Sequence, residues 1–120
     1  MNTKLTLNTR DELLVIETEH VAYMQADGNY TQIQYMAGEK LMVSLGLAKM
    51  AALLAGLYPV GSHSPFYRLG RSLIVNQRYI QNISLPHQKM VLSDGEGHRR
   101  ELTVYKAVLK EDKDMFIKKV

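Results

Sequence analysis

A short run of basic and small polar residues in the middle of the chain has the composition of an anion-binding loop. Arg68 and Arg71 flank Gly70, and Ser72 follows at once. An arginine can form paired hydrogen bonds with guanine or phosphate, a serine can donate to a phosphate oxygen, and glycine lets the backbone approach a surface closely. These residue types predict contact with a polyanion. A surface loop with two solvated arginines has the same composition and stays open as the alternative.

Charge is unevenly distributed along the chain. The 120 residues carry a net charge of only +3, but residues 1–60 hold four basic and six acidic side chains, whereas residues 61–120 hold eleven basic and six acidic ones. Phosphate contacts and counterion release require clustered positive charge. The second half of the chain is therefore expected to carry a nucleic-acid footprint, with a solvated basic face as the alternative.

Other kinds of chemistry lack the residues they need. The absence of cysteine excludes disulfides and thiolate catalysis. Four histidines without metal-ligand spacing predict no metal and no cofactor; they are His20, His63, His87 and His98. The chain has no phosphate-binding loop, nucleophile elbow or dinucleotide fingerprint. We therefore expect a protein that is not an enzyme.

Hydropathy and length predict one soluble domain. No apolar stretch approaches the ~20 residues that cross a bilayer. The first residues lack the apolar segment of a signal peptide. A chain of 120 residues has room for one core. We expect a cytoplasmic protein with no membrane partner.

Short strands dominate the predicted secondary structure. Apolar runs and period-two alternation, with turns such as Asp27-Gly28-Asn29 between them, predict nine strands at residues 13–16, 20–26, 30–35, 40–44, 66–69, 72–75, 79–84, 89–92 and 101–105. Apolar residues three and four apart predict a helix from Leu45 to Ala55, with Ser44 as its N-cap, and a second helix in the charged tail from Lys106 to Lys119. The fold class is mainly β. Since no two adjacent helices form a helix-turn-helix, strands and loops must contact any DNA.

The central run resembles the signature of LytTR domains, the DNA-binding modules of LytR/AgrA/AlgR-type bacterial regulators. It reads Phe66-x-Arg68-x-x-Arg71-Ser72-x-Ile74-Val75-Asn76-x-x-Tyr79-Ile80. Four further pieces follow the family order: residues 20–30 with Gly28-Asn29-Tyr30, the helix after Ser44, residues 89–95, and residues 102–106. The similarity extends from Leu14 to Leu109.

This resemblance implies an elongated stack of small antiparallel sheets, one flanking helix and a C-terminal helix. It also implies that loops enter successive major grooves of double-stranded DNA. The positions that match the family's base-contacting residues are Thr31, Arg71 and Lys106. Those that match phosphate-contacting positions are Asn29, Tyr30, Arg68, Ser72 and Arg78. Family targets are paired direct repeats, which implies two protomers per site on a transcriptional regulator of the two-component type.

Two departures from the family pattern change the expected target. Gly70 stands where the family commonly has histidine, which removes a possible phosphate donor. Tyr105-Lys106 replaces the common Ser-Arg, and lysine lacks the planar fork that contacts guanine through two hydrogen bonds. We expect DNA binding to be retained with an altered base preference.

Domain limits and rival functions complete the sequence-based expectations. We expect an N-terminal extension at residues 1–13, a LytTR-like domain at 14–110 and a charged tail at 111–120. The chain is either a stand-alone regulator or the output domain of a response regulator. The rival functions are a β-rich protein-protein interaction module with a basic docking face, and single-stranded RNA binding through tyrosines.

Overall fold

The computed structural model describes the backbone of residues 4–58 and 61–119, and the side chains of these residues as far as Asp114. Within them lie ten strands and two helices, in the order β1 (Lys4–Asn8), β2 (Leu13–Glu17), β3 (Val21–Asp27), β4 (Tyr30–Tyr35), β5 (Lys40–Val43), α1 (Leu47–Ala55), β6 (Phe66–Leu69), β7 (Leu73–Asn76), β8 (Ile80–Ser84), β9 (Lys89–Ser93), β10 (Arg99–Thr103) and α2 (Lys106–Lys119). Single 3-10 turns at Thr18–His20 and Gln77–Tyr79 precede β3 and β8. The predicted mainly β class is confirmed.

The central layer is a five-stranded antiparallel sheet in the order β5-β4-β3-β7-β6. β3 and β4 form the predicted hairpin, with Asp27 opposite Tyr30 and Gly28 at a φ of 61°, which glycine adopts without steric cost. β3 also pairs with the much later strand β7, where Met24 lies opposite Ile74. This non-local pairing brings the β3–β4 turn and the β6–β7 turn to the same end of the sheet.

One face of this sheet is covered by α1 and by the two-stranded β1–β2 sheet. The predicted periodicity of α1 is confirmed, since Leu47, Met50 and Leu54 are buried. They pack with apolar residues from the first seven strands; the buried ones are Leu5, Leu7, Ile16, Val21, Met24, Ile33, Val43, Phe66 and Ile74.

The opposite face packs against the three-stranded sheet β10-β9-β8 and against α2. The buried apolar residues of this second cluster are Ala22, Met36, Leu69, Leu73, Val75, Met90, Leu92, Leu102, Val104 and Leu109. The three layers give a molecule of 45 × 31 × 29 Å, which confirms the expected elongated stack of small sheets.

Three local features differ from the sequence-based expectation. Residues 4–8, assigned to an N-terminal extension, form β1, and Leu5 and Leu7 enter the core. α1 begins two residues later than predicted, since Gly46 precedes it in extended conformation and Ser44 does not cap it. α2 runs through the expected limit between residues 110 and 111 without a break. No helix in the described chain is long and apolar enough to span a membrane.

Candidate nucleic-acid interface

Three chain segments meet at one end of the central sheet: residues 27–30, 70–72 and 103–106. We call their surface the loop end. The backbone N–H of Ala26 donates to the carbonyl of Ser72 at 2.8 Å, which places the first two segments side by side. The third closes a groove of about 300 Å³ with the second; it is lined by Gln25, Leu69, Gly70, Arg71, Ser72, Leu73, Leu102, Thr103, Val104, Tyr105 and Val108.

The β6–β7 turn holds Arg71 and Ser72 at the surface because Gly70 adopts a φ of 62°. A side chain at Gly70 would be strained by that φ, and its Cβ would lie 3.7 Å from a methyl group of Val108. The glycine that replaces the family histidine thus fits a tight turn packed on α2. Arg68 is exposed on β6, and its Nη2 donates to the carbonyl of Arg71 at 3.5 Å. The turn therefore presents two guanidinium groups.

Lys106 is the first residue of α2 and is exposed. The first turn of this helix contains no acidic residue, and the N–H of Leu109 donates to the carbonyl of Tyr105 at 3.0 Å. Unpaired N–H groups and the helix dipole favour anions at a helix N-terminus, so a lysine at this position does not stabilise the helix. Lys106 and the helix N-terminus can instead both contact the same phosphate.

The cationic groups at the loop end are available for an external anion. Within the side chains described for residues 4–58 and 61–114, neither Arg71 nor Lys106 takes part in an ion pair. Asn29 is exposed on the neighbouring β3–β4 turn, and Tyr30, the first residue of β4, is 50% exposed. The structure thus brings together six of the eight predicted contact residues: Asn29, Tyr30, Arg68, Arg71, Ser72 and Lys106.

Thr31 does not belong to this surface, which corrects the base-contacting role predicted for it. Its side chain is fully buried, and its hydroxyl donates to the carbonyl of Leu45 at 2.8 Å. A side chain without exposed surface cannot contact a base edge. The physical reason is the pairing of Thr31 with Val43, which turns the threonine inward next to the loop before α1.

Replacing Thr31 with valine is expected to lower the free energy of unfolding by about 1–3 kcal/mol and to leave base preference unchanged. The valine removes the hydroxyl that donates to the part-buried carbonyl of Leu45. Chemical denaturation measures the stability, and the same change at exposed Thr6 of β1 is the control, with an expected effect within about 0.5 kcal/mol. An altered base preference with unchanged stability would contradict this role.

Arg78 lies away from the other predicted contacts. It sits in the 3-10 turn after β7, whereas Arg71 precedes β7, so the two arginines lie at opposite ends of that strand. The backbone N–H of Arg78 donates to Oδ1 of Asn76, whose Nδ2 donates to the carbonyl of Val21 at 3.0 Å. The asparagine of the central motif is thus a buried structural residue, and Arg78 is exposed at the far end of the sheet.

Carboxylates line a cavity at the end of the molecule opposite the loop end, where Arg78 and Arg100 also lie. This cavity of about 740 Å³ is lined by four carboxylates and by no lysine or arginine; they are Glu17, Glu39, Asp94 and Glu96. The N–H of Glu96 donates to Asp94 and holds the pKa of that carboxyl below its usual value, with the ring of His98 adding to the effect. Among the described residues, no three acidic or histidine side chains form a group that could hold a metal ion.

Two groove residues escaped the sequence reasoning. Gln25 is exposed on β3 beside the β6–β7 turn, and nothing in its sequence context marked it. In the sequence, Tyr105 is distinguished only as a departure from the family pattern. Its side chain is 81% exposed, the largest value among the exposed large apolar residues of the described chain. The position of Tyr105 at the junction of a predicted strand and a predicted helix is the sequence signal that indicates its exposure.

A buried polar contact fixes α2 to the second core. Nε2 of Gln77, in the 3-10 turn before β8, donates to Oδ1 of Asp112 at 2.7 Å. Burial raises the pKa of Asp112 to about 6, and Oδ2 of this carboxyl has no hydrogen-bond partner among the described residues. The contact holds α2, and hence Lys106, in place.

Fold and surface together define a β-rich domain with a cationic end built of loops. Among the described residues, no two adjacent helices form a helix-turn-helix. Comparison with known proteins identifies the class. Residues 11–111 match the family model of the LytTr DNA-binding domain, so the chain belongs to that family.

Individual relatives are more distant. The sensory transduction protein LytT of Oceanobacillus iheyensis is 26% identical over 81 residues, a match that covers 68% of this chain and 30% of that protein. A solved LytTr DNA-binding domain from Bacillus cereus superimposes with a TM-score of 0.57 at 24% identity, over 97% of this chain and 98% of the other. The likeness to the solved structure shows the shared fold.

Proposed function

We propose that this domain binds double-stranded DNA sequence-specifically, as part of a bacterial transcriptional regulator in the cytoplasm. The loops of the loop end would enter successive major grooves. The proposal rests on the gathering of Arg71, Lys106 and Ser72 at one end of the molecule, where neither cation forms an ion pair with a described side chain. Because clustered cations attract a polyanion, this gathering supports an orientation with the loop end toward DNA.

In this proposal Arg71 and Lys106 contact base edges. Arg71 can donate two hydrogen bonds to O6 and N7 of guanine, while Lys106 donates as a point charge. Asn29, Tyr30, Arg68 and Ser72 contact phosphates on either side of the groove. Arg78 at the far end adds to the overall positive field rather than to the groove contact.

Two protomers per site on paired direct repeats remain part of the proposal. An elongated domain with contacts at one end covers a short stretch of duplex, and a second copy doubles the number of contacts. We further propose that the chain acts as the output domain of a regulator, alone or joined to a receiver domain.

Selection of bound duplexes from a random pool tests duplex binding, repeat spacing and base preference together. The selected duplex should then lose affinity steeply with salt, by a logarithmic slope of about −0.9 for each phosphate contacted. Affinity that does not change between low and high salt, or a preference for single strands, would overturn the proposal in favour of protein or RNA binding.

Replacing Arg71 with alanine is expected to reduce the preference for the selected site over unrelated duplex by about 1–3 kcal/mol. The alanine removes two hydrogen bonds to one base pair. Replacement of Arg78 with alanine is the matched control, because it removes the same charge from an exposed arginine at the other end. The Arg78 variant should lose affinity equally for the selected site and for unrelated duplexes. Equal loss of preference in both variants would contradict the assignment.

A further inference from the structure

Tyr105 stands at the loop end with its aromatic ring unburied. Its side chain is 81% exposed, while Tyr30 on the neighbouring turn is 50% exposed. Most tyrosines in folded proteins cover apolar surface with the ring and leave only the hydroxyl in water. The ring therefore contributes little to the stability of the fold, and it is available for contact with a binding partner.

The backbone around Tyr105 is held firmly. The N–H of Val104 donates to the carbonyl of Gln88 at 3.0 Å, and the carbonyl of Tyr105 accepts the N–H of Leu109 at 3.0 Å. Val104 and Leu109 are themselves buried in the second core. An exposed tyrosine on such a fixed base loses only its own two side-chain rotations on contact, so the entropic cost of binding is small.

The position of Tyr105 matches that of the base-contacting groups in the proposed function. Tyr105 and Arg71 line the same groove, and Lys106 is its neighbour in the chain. Because Tyr105 and Arg71 line one groove, a duplex with a base edge against Arg71 would bring a neighbouring base edge within reach of the ring of Tyr105. The one apolar group that B-DNA presents in its major groove is the C5-methyl group of thymine.

We infer that Tyr105 determines specificity by packing its ring against a thymine methyl group next to the base pair that Arg71 contacts. The inference rests on the proposed function and adds one recognised base pair to it. It also assigns a role to the tyrosine that stands where the family commonly has serine. A serine could donate to phosphate but would offer no apolar face to thymine.

The test combines uracil substitution with two variants of Tyr105. The duplex selected by the unaltered protein is synthesised with uracil in place of thymine at one position at a time, which removes a single methyl group. The unaltered protein should lose about fourfold in affinity at one position beside the Arg71 contact, the value expected for one buried methyl group. Tyr105→Phe should behave in the same way, because it keeps the ring.

Tyr105→Ser is expected to bind the thymine duplex about fivefold to tenfold more weakly and to show no difference between thymine and uracil. Its thermal unfolding should match that of the unaltered protein, since the side chain is exposed. Loss of affinity in Tyr105→Phe as large as in Tyr105→Ser would assign the contact to the hydroxyl and overturn the inference. So would indifference of the unaltered protein to every uracil substitution. Absence of duplex binding by the unaltered protein would instead overturn the proposed function together with this inference.

Discussion

Replacing Leu109 with alanine should lower the free energy of unfolding by about 2–5 kcal/mol, the range measured for fully buried leucines. Leu109 of α2 is fully buried in the second core. The alanine leaves a cavity in this cluster, which includes Met90, Leu92 and Leu102. Ladder hydrogen bonds hold the strands of these three residues in place, so the cavity closes only partly. The loss follows from both the missing apolar burial and the cavity.

Chemical denaturation of the Leu109 variant is best compared with that of Leu53→Ala. Leu53 lies on α1 with 38% of its surface exposed, so the same chemical change removes much less buried area. The expected loss for Leu53 is below about 1 kcal/mol. Since α2 also carries Lys106, the Leu109 variant should bind the selected duplex more weakly even where it is still folded. Equal losses of stability in the two variants would contradict the placement of α2.

Replacing Asp112 with asparagine is expected to stabilise the protein at pH 7, by up to about 3 kcal/mol. Burial raises the pKa of Asp112 from 3.8 to about 6, so the folded state retains the proton to a higher pH than the unfolded state does. The stabilising contribution of this group is complete below pH 3.8 and is lost as the pH rises to about 6. At pH 7 the carboxylate is charged in both states, and burying that charge destabilises the folded state.

The asparagine keeps an oxygen to accept the hydrogen bond from Gln77 and carries no charge. Unfolding measured between pH 4 and pH 7 should therefore show a smaller fall of stability in Asp112→Asn than in the unaltered protein. Asp114→Asn is the matched control, because Asp114 is exposed on the same helix and the change in net charge is identical. A loss of stability at pH 7 in Asp112→Asn, or an unchanged pH dependence, would show that the carboxylate is better satisfied than its burial indicates.

Local patterns in the sequence predicted nine of the ten described strands, both helices and the family. Period-two alternation marks residues 30–35 as a strand whatever its partner is, because side chains on a strand point to opposite faces. The 3.6-residue period predicts α1 on the same ground. The alternation of Leu5 and Leu7 with polar residues carries the same signal for β1, a strand absent from the sequence-based prediction.

The contact surface was predictable only where it depends on turns. Gly70, Arg71 and Ser72 lie in a turn that the sequence indicates, and residues of a tight turn at the edge of a sheet are exposed. Their placement next to Tyr105 and Lys106 depends on the packing of α2 against the second core. That packing joins residues about 35 positions apart, such as Gln77 and Asp112, and no local pattern encodes it.

By itself, the sequence determined a mainly β domain of the LytTr family with its basic residues in the second half. Only the tertiary structure decided which residues of the family motif face outward. The alternation of side chains along β4 shows that Thr31 and its neighbours lie on opposite faces of the sheet. It does not show which of the two faces is covered by another part of the chain. The loop before α1 buries Thr31, and the course of β7 carries Arg78 to the far end of the sheet. Both outcomes follow from contacts between distant segments, which set burial and direction after the local elements have formed.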